Sequence, residues 1–450
     1  MSENFDWGVR ARWALPMSQD ARVIDDIFLG VRGSKIAFVG PFKKSLQLRS
    51  KKFIHAPGKV LMPGLINAHT HLAMTLFRGL EDDVPLKTWL FERIFPLEAE
   101  FVSVPFVKTG TELAALECIR FGTTTVADGY FYPRTSIQVW EAAGLRGIFS
   151  QSMMTFPIPE DKTLGPDRFS RFLKLRKEYS NHERIEISIA PHSPYTCDDE
   201  LLKKTAEIAR ETKCLVHIHL AESPMEMTDS KLKHGLTPTA HLQSLGLLGP
   251  RTLCAHAIHV TEADRKILKE TGARVVHNPD SNLKLGSGIA PISEYLRDGI
   301  PVALGSDGSA SNNDLSLFGA MDLATKVQKL VHGDNSGMQA AQALWMATRG
   351  GAEALGMGDR IGSLEVGKCA DFILIDFDFP HLQPVYDPAS HLVFAAQGLE
   401  VDTVFCHGRP LLKDKKFVTI KPGPIFKKAE VVRKKVVASL NQLKKTSGQS

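Results

Sequence analysis

"VLMPGLINAHTH", residues 60–71, carries an apolar run straight into two histidines one residue apart, His69 and His71. In a strand, residues i and i+2 share a face and lie about 6–7 Å apart along the chain. The pair therefore faces one way at a carboxyl end, and neutral imidazole is the commonest biological metal ligand. Packing accounts for one such histidine. Two on the same face point to a shared ligand.

The same kind of run recurs seven more times: "TTTVADGY" (123–130), "GIFSQSMM" (147–154), "IEISIAPH" (185–192), "CLVHIHLAE" (214–222), "TLCAHAIH" (252–259), "RVVHNP" (274–279) and "PVALGSDG" (301–308). Between most of them lie amphipathic stretches such as "DELLKKTAEIARETK" and "EADRKILKETG". Eight strands alternating with helices over roughly 250 residues match the size and rhythm of a (β/α)8 TIM barrel. A doubly wound open sheet is the rival, but the Gly-rich phosphate turn it needs after an early strand is missing. The carboxyl ends deliver, in order, His69/His71, Asp128, Gln151, His192, His219/Glu222, His256, Asn278 and Asp307. Barrel active sites are built at that rim, so the pattern predicts an enzyme.

The flanks lack this alternation. Residues 21–60 and 360–417 are rich in strands and turns. They predict a small β-sandwich domain assembled from both chain ends, with the N-terminal part at 1–60, the barrel at 61–358 and the C-terminal part at 359–420. Residues 421–450 follow as a basic helix. From Pro422 onward it holds seven Lys/Arg against the single acid Glu430, which accounts for the whole net charge of +5. Its apolar residues fall at helical spacing, so the lysines read as a solvated face. Elsewhere no basic patch is interleaved with aromatics, which argues against a nucleic-acid partner. Six dispersed cysteines without a C-x-x-C pair fit a reducing compartment. No apolar run approaches membrane-span length and the N-terminus is too polar for a signal peptide, so a cytoplasmic protein with no membrane partner is expected. Assembly into a homo-oligomer is left open.

Two further metal ligands are expected at the rim. His217 and His219 share a face, so spacing does not separate them. His219 lies nearer the carboxyl end, and His217 is expected lower, among packed side chains. Asp307 closes the eighth strand. His69, His71, His219 and Asp307 would hold one divalent ion with room for a water: zinc by preference, with Fe²⁺ or Ni²⁺ able to occupy the same donors. The third and fourth strands offer no bridging lysine or glutamate, which favours one ion over two. Such an ion lowers the pKa of water from 15.7 to about 7. Glu222, three residues past His219, could then hang over the attacking water. Asp307 could take its proton, and His256 could orient it or polarise the attacked centre.

The motifs "PGLINAHTH", "HIHLAE", "HNPDSNLKLGSGIAP" and "LGSDGSASNNDLSLF" resemble the amidohydrolase superfamily, and within it the 5-methylthioadenosine/S-adenosylhomocysteine deaminases and their triazine-hydrolase cousins. The resemblance runs from about residue 20 to about 415 and includes "GSLEVGKCADFILID". It implies hydrolytic deamination at C6 of adenine in a 5′-substituted adenosine. It implies that His69, His71, His219 and Asp307 bind the metal, that Glu222 shuttles a proton to the ring, and that His256 stands beside the nucleophile. It further implies that Glu98 in "FPLEAE" binds both ribose hydroxyls, that His192 touches substrate, and that Trp89 forms an aromatic wall. One position departs from the pattern. Where family members accepting S-adenosylhomocysteine place an arginine for the amino-acid carboxylate, this chain has Gln151, and Arg168 or Arg171 stands near the second such place. Losing that ion pair predicts a preference for methylthioadenosine, 5′-deoxyadenosine or adenosine. The alternatives are hydrolysis of a triazine or related heterocycle, for which a ribose-binding Glu98 has no use, and an inactive scaffold, against which the full ligand set argues.

Overall fold

The computed structural model describes residues 4–80, 83–333 and 337–446; the extreme ends of the N-terminal β-stretch and of the basic helix lie outside them. Sixteen strands form two eight-stranded sheets. The small sheet takes β1 (Phe5–Ala14), β2 (Ile24–Arg32), β3 (Lys35–Pro41) and β4 (Ser50–Pro63) from one end of the chain. From the other end it takes β13 (Phe372–Asp376), β14 (Val401–Cys406), β15 (Arg409–Lys413) and β16 (Lys416–Phe417). Its order is β16-β15-β14-β13-β4-β1-β2-β3. Trp7 on β1 meets Phe405 on β14 with ring centroids 5.2 Å apart, although β4 and β13 lie between them. Three strand spacings would put them about 14 Å apart in a flat sheet. The sheet therefore folds over and packs its own face, as a sandwich does. β1 precedes the strand-rich stretch at 21–60, yet it sits centrally and pairs with both β2 and β4. The arginines at 10 and 12 in "FDWGVRARWA" mask its alternation, while Phe5, Val9 and Ala11 are buried.

The long run at 60–71 is broken at Gly64, which hands the chain from β4 to β5 (Leu65–Thr70). A side chain at Gly64 would collide with Thr124, whose nearest atom lies 2.3 Å from the place of a Cβ. The barrel continues through β6 (Thr123–Tyr130), β7 (Arg146–Met153), β8 (Ile185–Pro191), β9 (Val216–Leu220), β10 (Thr252–His256), β11 (Arg274–His277) and β12 (Val302–Leu304), in sequence order and parallel. Helices between the strands cover the outside, which is why β7 is buried at every position. β5 meets the segment just past β12 through an isolated bridge, Thr70 with Asp307, where the Asp307 amide donates to the His69 carbonyl at 3.0 Å. The barrel thus closes at the residues expected to bind metal.

A buried ion pair ties the sheets together: Arg146, opening β7, donates to Asp371, just ahead of β13, at 2.8 Å. The basic helix Pro422–Thr446 packs one side against the helix Val104–Arg120, burying Ile425 and Val436, with Lys428 paired to Glu112. Its other lysines and arginines among the described side chains are exposed. Among the described residues no helix is long and apolar enough to cross a membrane.

Candidate active site

Three imidazoles are oriented by the same device. His71 Nδ1 donates to the Gly129 carbonyl and His219 Nδ1 to the His192 carbonyl, both at 2.7 Å. His69 Nδ1 and His217 Nε2 share one proton across 2.7 Å. In the neutral tautomer with its proton on Nδ1, each ring carries an Nε2 lone pair. Those lone pairs converge: His71 Nε2 lies 3.3 Å from His219 Nε2, and His69 and His71 each bring Nε2 to 3.2 Å from Asp307 Oδ1. His69 Nε2 is buried and has no hydrogen-bond partner. Burial lowers the pKa of His69 to about 4 and holds that of His219 well below the ordinary value, which keeps both rings neutral. Burial is outweighed at His71 by the hydrogen bond and charge of Asp307, which raise its pKa. The converging nitrogens and carboxylate oxygen are balanced either by a proton on His71 or by a cation between them. The donor set therefore fits a divalent ion.

Asp307 is fixed by its surroundings. Ser281 and Ser311 hydroxyls donate to Oδ2 at 2.6 and 2.8 Å, and the Gly308 amide donates to Oδ1 at 2.8 Å. His256 also brings a nitrogen within 4.8 Å of the ligand atoms of His69, His219 and Asp307. Its Nδ1 donates to Asn282 Oδ1 at 2.7 Å, and its Nε2 stands 3.9 Å from Glu222 Oε1. Glu222 lies two residues beyond β9 on a turn held by Glu226, whose carboxylate accepts from the Ala221 and Glu222 amides at 2.9 Å each. Burial raises the pKa of Glu222 above the usual carboxyl range. Ala221, His256, Ala257 and Asp307 all adopt positive φ, between 45° and 69°. That left-handed backbone is costly for such residues and marks a built site.

His71, His219, Glu222, His256 and Asp307 line one pocket. Its walls include Trp89, Leu90, Phe95, Met154, Tyr195 and Leu285. Glu98 reaches it from the helix Phe95–Phe101 and is only 5% exposed. The Tyr130 hydroxyl donates to Glu98 Oε1 at 2.7 Å. Burial, partly offset by that hydrogen bond, raises the Glu98 pKa to about 7. Trp89 is buried in the wall with its Nε1–H unpaired. His192 also lines the pocket, with Nδ1 3.0 Å from the Thr196 hydroxyl.

Gln151 is placed differently. Neighbours on a strand point to opposite sides. Ser152 faces the pocket, while the Gln151 amide is buried against the Glu160 carboxylate and Gln151 is not among the pocket-lining residues. Arg168 and Arg171 are bound to Asp161 and Glu160. No lysine or arginine is among the described residues lining the pocket. Asp128 and Asn278 stay outside it as well; Asp128 accepts the Leu72 amide at 2.9 Å.

Residues 60–411 match the family model described as "Amidohydrolase family". The chain belongs to the amidohydrolase family. It is 42% identical over 425 residues to a 5-methylthioadenosine/S-adenosylhomocysteine deaminase of Syntrophobacter fumaroxidans, covering 94% of this chain and 96% of that one. An adenosine deaminase of Xanthomonas campestris, solved with bound zinc, superposes with a TM-score of 0.93 at 35% identity, covering 97% of this chain and 99% of that one. A zinc-bound atrazine chlorohydrolase of Arthrobacter aurescens reaches a TM-score of 0.88 at 26% identity, covering 95% and 100%. Deaminase and chlorohydrolase thus share this amidohydrolase fold, and side chains of the pocket must separate the two chemistries.

Tyr130 and Glu226 escape sequence reading, because their partners are fixed only by the folded turns. Tyr130→Phe is expected to raise KM for a nucleoside about tenfold, since a hydrogen bond to a charged group contributes about 1.5–3 kcal/mol. Ribose hydroxyls bind best to the ionised carboxylate, so KM should fall as pH rises through about 7, where Glu98 loses its proton. Without the Tyr130 hydroxyl the Glu98 pKa rises, and that inflection should move to higher pH. Steady-state KM against pH for both proteins measures both effects.

Proposed function

We propose that the protein deaminates the adenine ring of adenosine and of adenosines carrying a small uncharged 5′-group, such as 5′-methylthioadenosine or 5′-deoxyadenosine, releasing ammonia. The observation that carries this reading is Glu98: a buried carboxylate, braced by Tyr130, in the same pocket that His71, His219 and Asp307 line. Two acceptor oxygens suit a cis-diol and would be wasted on a triazine.

The ligands we assign are His69, His71, His219 and Asp307, and the ion is zinc, which suits three imidazoles and a carboxylate. When bound, that ion supplies ionised water at neutral pH. Asp307 takes the water proton as oxygen adds to C6, and Glu222 delivers its own proton to the adjacent ring nitrogen. With Nδ1 donating to Asn282, His256 stabilises the developing oxyanion as the imidazolium, whose Nε2–H donates to it. The proton held by Asp307 passes to the amino group, the C6–N bond breaks, and ammonia leaves. Trp89 and His192 line the wall along the base and sugar. S-adenosylhomocysteine is the poorer substrate because its carboxylate meets no cation on the described walls. Gln151, held by Glu160, acts on this preference only from behind the wall. The catalytic unit is the barrel at 61–358. The six free, buried cysteines fit the cytoplasm as its compartment.

Adenosine compared with 2′,3′-dideoxyadenosine tests the role of Glu98. The diol should raise kcat/KM at least tenfold in the wild type, and Glu98→Ala should erase the difference. Equal rates on the two substrates in the wild type would favour the heterocycle reading.

A further inference from the structure

Away from the pocket, three outer helices bring a second set of donors together: Asp199 opens the helix Asp199–Thr212, His234 ends Pro224–His234, and His241 lies within Pro238–Ser244. One ligand atom from each lies within 4.8 Å of the other two. His241 is 3% exposed, and neither of its ring nitrogens has a hydrogen-bond partner. One of those nitrogens must be a lone pair. Nε2 is 3.1 Å from Asp199 Oδ1 without the alignment of a hydrogen bond. Neighbouring donors around a tetrahedral ion with bonds of about 2.0–2.1 Å are spaced by about 3.3 Å, close to that separation. The His234 ring stacks on His241, with centroids 3.6 Å apart and planes 25° from parallel. Burial and the neighbouring His234 both disfavour a charge on His241.

We propose that Asp199, His234 and His241 bind a borderline divalent transition-metal ion such as Zn²⁺ or Ni²⁺. Two imidazoles and one carboxylate favour such ions over Mg²⁺ or Ca²⁺. Asp199 and His234 are partly exposed, so the ion arrives from solvent and keeps water in its remaining positions. Stacked rings do not aim both in-plane lone pairs at one point, so the partly exposed His234 ring rotates off His241 to become a ligand. The Asp199 carboxylate offsets the charge of Lys233, the residue before His234. The bound ion clips together three helices, one of which begins at the turn carrying Glu222.

The test compares wild type with Asp199→Asn and His234→Ala after dialysis against micromolar Zn²⁺, counting zinc per chain by mass spectrometry. These partly exposed positions are used because His241→Ala would open a hole between packed helices. Wild type should hold one more zinc per chain than either variant, with equal turnover in all three. Because the readout is a difference, it stands whether or not the barrel ligands are assigned correctly. Equal zinc content overturns the proposal. A difference that persists when Mg²⁺ replaces Zn²⁺ also overturns it, since that would mark only a generic charged surface.

Discussion

Glu222→Gln is expected to keep its metal and lose about 10²–10⁴-fold in kcat, the range typical of a positioned acid–base group. The amide matches the carboxyl in shape, and the turn beneath it is held through backbone amides on Glu226, so the pocket should persist. What disappears is the proton that the ring nitrogen must receive as C6 is attacked. Burial, which raises the pKa of Glu222, favours the protonated carboxyl that this role requires. Metal analysis and turnover on one preparation check the outcome. Unchanged kcat would remove the role assigned to Glu222.

Asp307→Asn should instead lose both properties, with turnover down about 10³-fold or more and the metal released on dialysis. The substitution keeps the side-chain outline but removes the charge that balances three converging imidazoles. It also disturbs the two serine hydroxyls that donate to Oδ2, because an amide nitrogen placed there would meet donors with a donor. Metal content separates the two variants: a ligand loses the ion, whereas a proton carrier does not. An Asp307→Asn protein with full metal and full activity would contradict the assignment of that ligand.

The fold was legible because a parallel barrel repeats one rule eight times. Each strand is buried on both sides, and each ends where polar side chains gather. His69, His71 and Asp307 follow from strand spacing and position, and His219 is separated from His217 by depth alone. The structure gives His217 a use that depth did not suggest, as the hydrogen-bond partner that orients His69. Gln151 shows where the reading stops. At a strand tip a shift of one residue exchanges the pocket side for the outside, and Ser152 rather than Gln151 faces in. The pairings of Tyr130 with Glu98, and of Asn282 with His256, join residues 32 and 26 positions apart. They depend on turns in left-handed backbone that no local pattern announces. β1 was hidden for a different reason, since arginines on its exposed face make a central strand look polar.

The most direct test is to incubate the zinc-loaded protein with 5′-methylthioadenosine, 5′-deoxyadenosine, adenosine and S-adenosylhomocysteine, following the ultraviolet change from adenine to hypoxanthine together with released ammonia. The account predicts stoichiometric ammonia and the hypoxanthine spectrum, with kcat/KM highest for the uncharged 5′-groups and lowest for S-adenosylhomocysteine. Metal-loaded protein that leaves every one of these nucleosides unchanged would contradict it.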